Sequence, residues 1–417
     1  MILMRQNLDE KMALDKMVYL VGDAGVVRSL YHVPAREPFH DDLIEFLNVL
    51  SKSIMKHPQS RSYSDIVTFA FWIRKASTIR MKEQYEKRDG HIHLGRGTVF
   101  HIAPSNVPVN FAYSLVTGLL AGNRNIVRVP SKEFPQVKII ADCIKEVLKQ
   151  YEQLVPYMIL VRYGRNKEIN DALSSIADTR VVWGGDVTIA ELRKSELPAR
   201  SSEITFADRY SLAVIDADYY ITCEDKVKIA EDFYNDTYFS DQNACTSPRL
   251  VVWTGKEKTK AKKLFWDELY ELVKRKYTFQ DIQGVNKLTS SYLTAAAMEG
   301  TVMEPHHDNL ITRVKVPKVT RQLMEWKDNS GFFFEYDCDD ILDLKMVCDD
   351  KRCQTIGFLG DKTELFPLLI SGIQGVDRVV PIGKTMDFQL IWDGYDLLSQ
   401  LTRIIYYDSD SLPKQDG

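Results

Sequence analysis

Of the six cysteines, at positions 143, 223, 245, 338, 348 and 353, one sits where chemistry would be placed. Cys245 lies in F-S-D-Q-N-A-C-T-S-P-R, a run of small and polar residues leading into the β-branched stretch Arg249–Trp253. A thiol on a loop backed by a strand is suited to nucleophilic attack on a carbonyl. A solitary loop cysteine is also often inert, and spacing alone leaves both readings open. The other five read differently. Cys143 falls inside a helical pattern and reads as core. Cys223 precedes a helix. Cys338, Cys348 and Cys353 lie in an acidic stretch, which raises a thiol pKa and weakens it as a nucleophile. No pair has C-x-x-C spacing, so zinc-ribbon and thioredoxin-type sites are excluded.

Two further features carry chemistry. In Phe100–Val109, F-H-I-A-P-S-N-V-P-V, prolines on both sides stiffen a turn and fix the direction of the Asn106 amide. A fixed amide donor is half of an oxyanion hole; it is also an ordinary turn residue. Gly184-Gly185 follows the strand-like run Arg180–Trp183 and precedes a helical pattern. Such a junction can offer backbone N–H groups to a phosphate, or be a plain tight turn. The P-loop pattern is absent, as is a complete G-x-G-x-x-G after a strand. His101, five residues before Asn106, is read as a hydrogen-bonded structural residue first and a functional one second. His306-His307, beside Glu304 and Asp308, are adjacent on an extended chain and point to opposite faces, so no metal is expected.

The elements that must hold these residues follow from the periodicity. Helical patterns open the chain, with Leu43, Ile44, Leu47, Leu50 and Ile54 on one face and a second helix beginning at Ser64 or Asp65. Arg88–Gly97 reads as a linker or hairpin. Short β-branched runs at Thr98–Ile102, Ile126–Val129, Met158–Val161 and Arg180–Trp183 then alternate with helical patterns. A second series starts at Ser211–Asp216 and continues through Arg249–Trp253, Thr355–Leu359 and Arg378–Pro381, with a final strand-like run at Arg403–Tyr407. Strand–helix–strand alternation implies parallel sheets covered by helices, here in two α/β domains. The length of 417 residues accommodates two or three domains. A net charge of −4 argues against nucleic-acid or polybasic membrane binding. The uncharged stretch His101–Asn123 is broken by two prolines and reads as strand, turn and buried helix, not as a membrane span. Few cysteines and no apolar h-region after a basic start lead us to expect a cytoplasmic protein. The tail DSDSLPKQDG is expected to be disordered.

The order Asn turn, Gly turn, Cys loop resembles the aldehyde dehydrogenase superfamily and, more closely, its LuxC-type acyl-CoA reductases. PSNVPVNFAYSLVTGLLAGNRNIVRVPSKE is similar to the superfamily's proline–asparagine–proline turn, helix and lysine-proline-serine-glutamate strand end. VVWGGDVTIAEL resembles the glycine turn facing the cofactor, and DQNACTSPRLVVW the cysteine loop. SYSDIVTFAFWIRKA (62–76), RVVPIGKTMDF (378–388) and WDGYDLLSQLTR (392–403) are similar to the narrower family.

The resemblance implies an aldehyde dehydrogenase-like α/β fold with a Rossmann-type cofactor domain and an α/β catalytic domain. The expected boundaries are 1–84 for an N-terminal helical layer, 85–215 for nicotinamide binding, 216–385 for the catalytic domain, and 386–417 for a segment returning to the cofactor domain or a neighbouring subunit. It implies Cys245 as nucleophile toward a long-chain acyl thioester, with Asn106 and the Cys245 N–H holding the oxyanion. Arg128, Ser131, Lys132, Gly184 and Gly185 would bind the cofactor. Lys132 stands where the superfamily has a ribose-binding glutamate, which favours the 2′-phosphate of NADPH over NADH. The base of the aldehyde-oxidising members falls on Thr205, which cannot activate water; Glu203 is two residues away. Asp186 stands where a small serine would face the cofactor phosphates. The implied partners are acyl-CoA or another acyl thioester, an acyl-protein synthetase, and further copies of the chain. An oxidative aldehyde dehydrogenase and a non-catalytic acyl carrier or scaffold are the alternatives.

Overall fold

The computed structural model of the chain describes residues 13–86, 91–304 and 308–406. His306, His307 and the tail 408–417 lie outside the described residues. The chain forms two compact units, one made of residues up to Ala207 together with those from Tyr395 onward, the other of Asp208–Gly394.

In the first unit the strands before the boundary are β1 (Val18–Val21), β2 (Ile92–Gly95), β3 (Thr98–Ile102), β4 (Arg124–Arg128), β5 (Met158–Arg162), β6 (Thr179–Trp183) and β7 (Ser202–Phe206). Six of them make one sheet in the order β1-β5-β4-β3-β6-β7. All neighbours are parallel except the antiparallel edge β1. The interior strands β3 and β6 are buried along their whole length, as expected of a parallel sheet covered on both faces. Helix Asn110–Leu120 connects β3 to β4 and is almost wholly buried. Helix Pro135–Leu148, with proline in its first turn, connects β4 to β5 and buries Cys143. The chain then returns across β3 to place β6 on its other side. That reversal makes β3 and β6 the topological switch point, and open α/β sheets hold ligands outside the carboxyl ends of the strands at such a point.

In the second unit, β8 (Tyr210–Asp216), β9 (Pro248–Thr254), β10 (Val302–Met303), β11 (Thr312–Lys315), β12 (Phe332–Asp337), β13 (Cys353–Leu359) and β14 (Arg378–Pro381) form a sheet in the order β10-β11-β12-β9-β8-β13-β14. Only β10 runs antiparallel to its neighbour. The centre is β9, flanked by β12 and β8, with Leu212, Val214, Leu250, Val252, Ile356 and Phe334 in one core layer.

The structure corrects several expectations. The first residues are not a purely helical layer: Val18–Val21 forms the sheet edge, paired with β5. Within Arg88–Gly97, read as a linker or hairpin, Ile92–Gly95 is β2 and pairs antiparallel with the strand Thr402–Ile405; residues 88–90 lie outside the described residues. The unit boundary falls at Ala207/Asp208 and not at 215/216, because β8 bonds to β9 and β13 of the second sheet. The second unit also runs to Gly394, past 385. There Arg378 lies over the Trp392 ring, 4.2 Å from its centroid, and donates to Thr385 O at 3.2 Å and Asp387 O at 3.1 Å. From Tyr395 the chain joins the first unit: Asn123 Nδ2 donates to Leu401 O at 2.9 Å and Arg96 Nε to Gln400 O at 2.7 Å.

Candidate active site

The segment before Cys245 is held in a conformation that side chains other than glycine seldom adopt. Asp241 and Gln242 have φ of 54° and 56°. Two consecutive left-handed residues cost on the order of 1 kcal/mol each and persist only where the surroundings fix them. The fully buried Gln242 amide does much of the fixing. Its Nε2 donates to Pro248 O at 2.8 Å and Phe332 O at 3.0 Å, and its Oε1 accepts from Gly331 N at 3.0 Å and Phe332 N at 3.2 Å. All four hydrogen-bonding positions of the amide are used. The Asp241 carboxylate accepts from Ser330 Oγ at 2.9 Å and from the Tyr277 hydroxyl. Gly331, at φ 83°, packs so tightly that a side chain there would collide with Tyr238. After the bend, Ser211 Oγ donates to Cys245 O at 2.8 Å, and Thr246 Oγ1 donates to Met386 Sδ at 3.1 Å. The latter contact ties in the loop after β14, itself anchored where the buried Asp236 carboxylate accepts from Gly383 N at 2.6 Å and Thr385 N at 3.1 Å. The cysteine is thus mounted at the amino ends of β8 and β9.

Cys245 keeps partial solvent access, with charged groups close around it. Burial pushes its thiol up to about 11, and the Asp393 carboxylate adds to the rise; the Gln354 side chain and the Arg209 charge act the other way. At neutral pH the sulfur of the free protein therefore carries its proton. Arg249 is buried, donates to Asp328 O and Asn329 Oδ1, and is brought down to about 10 by that burial. Gln354, fully buried, donates to Asp393 Oδ1. Arg209 bridges Asp377 at 2.5 Å and Asp393 at 3.7 Å. Asp393 is raised above the ordinary carboxylate range by burial, with Arg209 opposing. The acidic stretch is not the main reason the remaining cysteines are poor nucleophiles. Burial comes first for Cys338, raised to about 12, and the hydrogen bond that the Cys353 thiol makes to Cys348 comes first for Cys353.

The remaining sequence candidates lie in the first unit, at the carboxyl ends of its strands. Asn106 is exposed in the loop after β3. Ser131 and Lys132 are exposed in the loop after β4, with the Lys132 ammonium 5.2 Å from the centre of the Phe134 ring. Glu133, next in sequence, is paired with Arg162 at 3.3 Å. Arg128 is already engaged: it lies 4.6 Å over the Tyr163 ring and donates to Gly164 O at 3.3 Å. Gly184 closes β6 through Gly184 N to Phe206 O at 3.1 Å, and Gly185 caps helix Asp186–Leu192 with open space where a side chain would project. Asp186 occupies the first turn of that helix and is exposed, a placement favoured by the helix dipole. This gives the carboxylate a local structural reason.

Glu203 is not free to replace the missing base. It accepts from Arg180 Nε at 2.8 Å and Arg193 Nε at 2.7 Å. His101 is structural. Its Nδ1 lies 2.7 Å from Ser114 Oγ and its Nε2 3.0 Å from Asn125 Oδ1, while Trp183 Nε1 donates to Ser114 Oγ at 3.0 Å. The Asn125 amide donates to Asn123 O at 2.7 Å, so its oxygen faces the imidazole, which donates from Nε2 and accepts at Nδ1. Burial brings this histidine down to about 4. Among the described residues no group of three or more histidine, cysteine or acidic side chains is arranged to hold a metal ion, and no helix is long and apolar enough to cross a membrane.

Sequence reasoning missed Gln354, Asp393 and Arg209. The signal that existed was W-D-G at 392–394, a pattern that favours a left-handed turn and appeared only as part of a family-like segment.

Comparison with known proteins agrees with this arrangement. A long-chain acyl-protein thioester reductase of Vibrio harveyi is 23% identical over 325 residues, covering 76% of this chain and 65% of the relative. The chain thus spans less than two thirds of that relative's length. Among solved structures, lactaldehyde dehydrogenase from Escherichia coli superposes with a TM-score of 0.62 at 13% identity, covering 96% of this chain and 91% of the other. A 1-pyrroline-5-carboxylate dehydrogenase from Thermus with bound NAD gives 0.60 at 12% identity, covering 87% and 80%. The fold is therefore that of the aldehyde dehydrogenases. A family model described as acyl-CoA reductase (LuxC) matches residues 51–280, more than half of the sequence, and the chain belongs to that family.

Proposed function

We propose that this protein reduces a long-chain acyl thioester to the aldehyde, through an acyl group carried on Cys245, with NADPH as the preferred reductant. The observation that carries the reading is the mounting of Cys245, a partly accessible thiol on an over-determined loop in a member of this family. The Cys245 sulfur attacks the thioester carbonyl, a new S–acyl bond forms, the old one breaks, and the thiol proton leaves with the departing carrier thiol. The Cys245 N–H and the Asn106 amide are assigned to the oxyanion, an assignment that rests on the family resemblance for Asn106.

The residues after β4 suit a phosphorylated ribose. Lys132 and Ser131 offer an exposed cation and hydroxyl, and the adjacent Glu133 carboxylate is paired with Arg162. A bound nicotinamide supplies the hydride. Exposed Gly185 leaves room for a phosphate close to the backbone, and Arg128 stands beside Tyr163 and Gly164 in the loop after β5. Oxidative turnover is disfavoured: Thr205 offers no base, and Glu203 is held by two arginines.

The test is intact mass on the purified protein and on Cys245→Ala after incubation with a long-chain acyl-CoA, followed by NADPH and absorbance of the nicotinamide. The expected result is an adduct in the wild type, none in the variant, and discharge as aldehyde with NADPH consumed. An adduct that outlasts both nicotinamides would replace this reading by the acyl carrier or scaffold.

A further inference from the structure

The loop that follows β14 is gripped from two sides. On one side stands Asp236, fully buried and the last residue of helix Lys226–Asp236. Its Oδ2 accepts from Gly383 N at 2.6 Å and its Oδ1 from Thr385 N at 3.1 Å. A carboxylate set between two backbone N–H groups makes charge-assisted hydrogen bonds, about twice as strong as neutral ones. The approach is close: Gly383 has φ 89°, and a Cβ there would lie 2.6 Å from Asp232 Cβ, one turn earlier on the same helix. On the other side Arg378 donates to Thr385 O at 3.2 Å and to Asp387 O at 3.1 Å. Between these two holds lies Met386, whose sulfur accepts from Thr246 Oγ1 at 3.1 Å. Thr246 is the next residue after Cys245. The helix that ends at Asp236 also leads into the cysteine loop, where Gln242 N donates to Thr237 O at 2.8 Å. Asp236 thus stands at the junction of the two segments.

We propose that the ionised Asp236 carboxylate is a positioning residue for Cys245: it draws Gly383–Thr385 onto the end of its helix, so that Met386 meets Thr246 and steadies the cysteine beside it. The inference rests on Cys245 being the nucleophile. A protonated carboxyl keeps one full acceptor and sets a hydroxyl against the other N–H, so the grip depends on the charge. The charged groups facing Asp236 are Asp232 on its own helix, paired with Lys228, then Arg378 on β14, and Lys384 on the loop, paired with Asp387 at 3.0 Å. Burial brings Asp236 up to about 7 against the pull of the Gly383 and Thr385 hydrogen bonds, with Asp232 adding to the rise. The grip is therefore complete above neutral pH and weakens below it.

The test is the pH dependence of Cys245 alkylation by iodoacetamide, read on its peptide by mass spectrometry, in wild type, Asp236→Asn and Met386→Leu. From mildly acid to mildly alkaline pH the thiol, at about 11, contributes only a straight rise of log rate with pH. Release of the loop should add to the labelling below about 7, so the wild-type profile should bend there. Asp236→Asn does not titrate, keeps one acceptor and sets its NH2 group against the other N–H. Its profile should be straight and, for one lost charge-assisted hydrogen bond, lie about tenfold above wild type at pH 8. Met386→Leu conserves volume and removes the sulfur acceptor, so the bend should disappear although Asp236 still ionises. Labelling of the buried Cys143 and Cys338 reports any loss of fold. A straight wild-type profile, a bend that persists in either variant, or wild-type labelling of Asp236→Asn at pH 8 overturns the proposal. If Asp236→Asn unfolds, Met386→Leu decides alone: an unchanged bend overturns it. Because the probe is a generic alkylating reagent, these outcomes are independent of whether acyl-CoA forms an adduct, and each reading can fail without the other.

Discussion

The two sheets carry their candidate residues at opposite ends and in opposite electrical settings. In the first unit Asn106, Ser131, Lys132, Gly184 and Gly185 follow the carboxyl ends of β3, β4 and β6, and most are exposed. The polar groups buried beneath them, His101, Ser114, Asn125 and Trp183, are neutral and matched donor to acceptor. In the second unit Cys245, Arg209 and Gln354 cluster at the amino ends of β9, β8 and β13, and the buried groups there are charged. The difference suits two tasks. A cofactor that must exchange each turnover is served by exposed backbone and a loop cation on a neutral scaffold. A sulfur that changes charge during reaction is served by fixed charges and dipoles in a largely buried setting, where they act more strongly than in water.

The comparison breaks most readily at the cysteine loop. Gln242→Leu removes four buried hydrogen bonds and leaves Gly331 N and Phe332 N unpaired, which should cost about 4 kcal/mol at about 1 kcal/mol per bond. Urea denaturation should show a large fall in the midpoint, and iodoacetamide labelling should show a loosened Cys245.

The neutral scaffold of the first unit predicts a different signature. Folding depresses the His101 pKa from 6.5 to about 4, so between those values the unfolded chain takes up a proton that the folded chain refuses. The stability linked to this group is intact above pH 6.5 and is lost as pH falls toward 4, by about 3 kcal/mol. His101→Gln should flatten that part of the stability profile; an unchanged profile would place the acid sensitivity elsewhere.

The smallest effect is expected at the surface. Lys132→Glu should raise the KM for NADPH about tenfold while leaving that for NADH nearly unchanged, since it exchanges an exposed phosphate partner for a ribose acceptor. Equal changes for both nucleotides would remove Lys132 from cofactor selection.

Legibility in the sequence followed locality. The β-branched runs that became β3, β4, β5 and β6 were readable because strands buried on both faces carry continuous apolar residues. Ser202–Phe206, S-E-I-T-F, was passed over because its outer face is polar and Glu203 serves Arg180. Helix Asp281–Ala297 was hidden by inverted polarity. Lys287, Ser291 and Thr294 face inward, where the Lys287 ammonium donates to Asn309 O and, at 2.8 Å, to Ser330 O, while Ile282, Val285 and Leu288 lie outside. The cysteine loop announced itself through composition. Gln354 and Asp393 did not, because they lie over a hundred residues from Cys245 and reach it only through the strand order β9-β8-β13 and the turn beyond β14.

One feature of the fold bears on how the chain is made. The first unit takes its last strand, Thr402–Ile405, against β2 (Ile92–Gly95), with the whole of Asp208–Gly394 synthesised in between. On a translating ribosome, at about 5–20 residues per second, some 15 to 60 seconds separate the emergence of β2 from that of its partner. During that interval the edge of β2 is an open template for other strands. The contiguous second unit can complete its sheet first, so premature termination between residues 394 and 402 yields a chain with a finished second unit and an unfinished first unit.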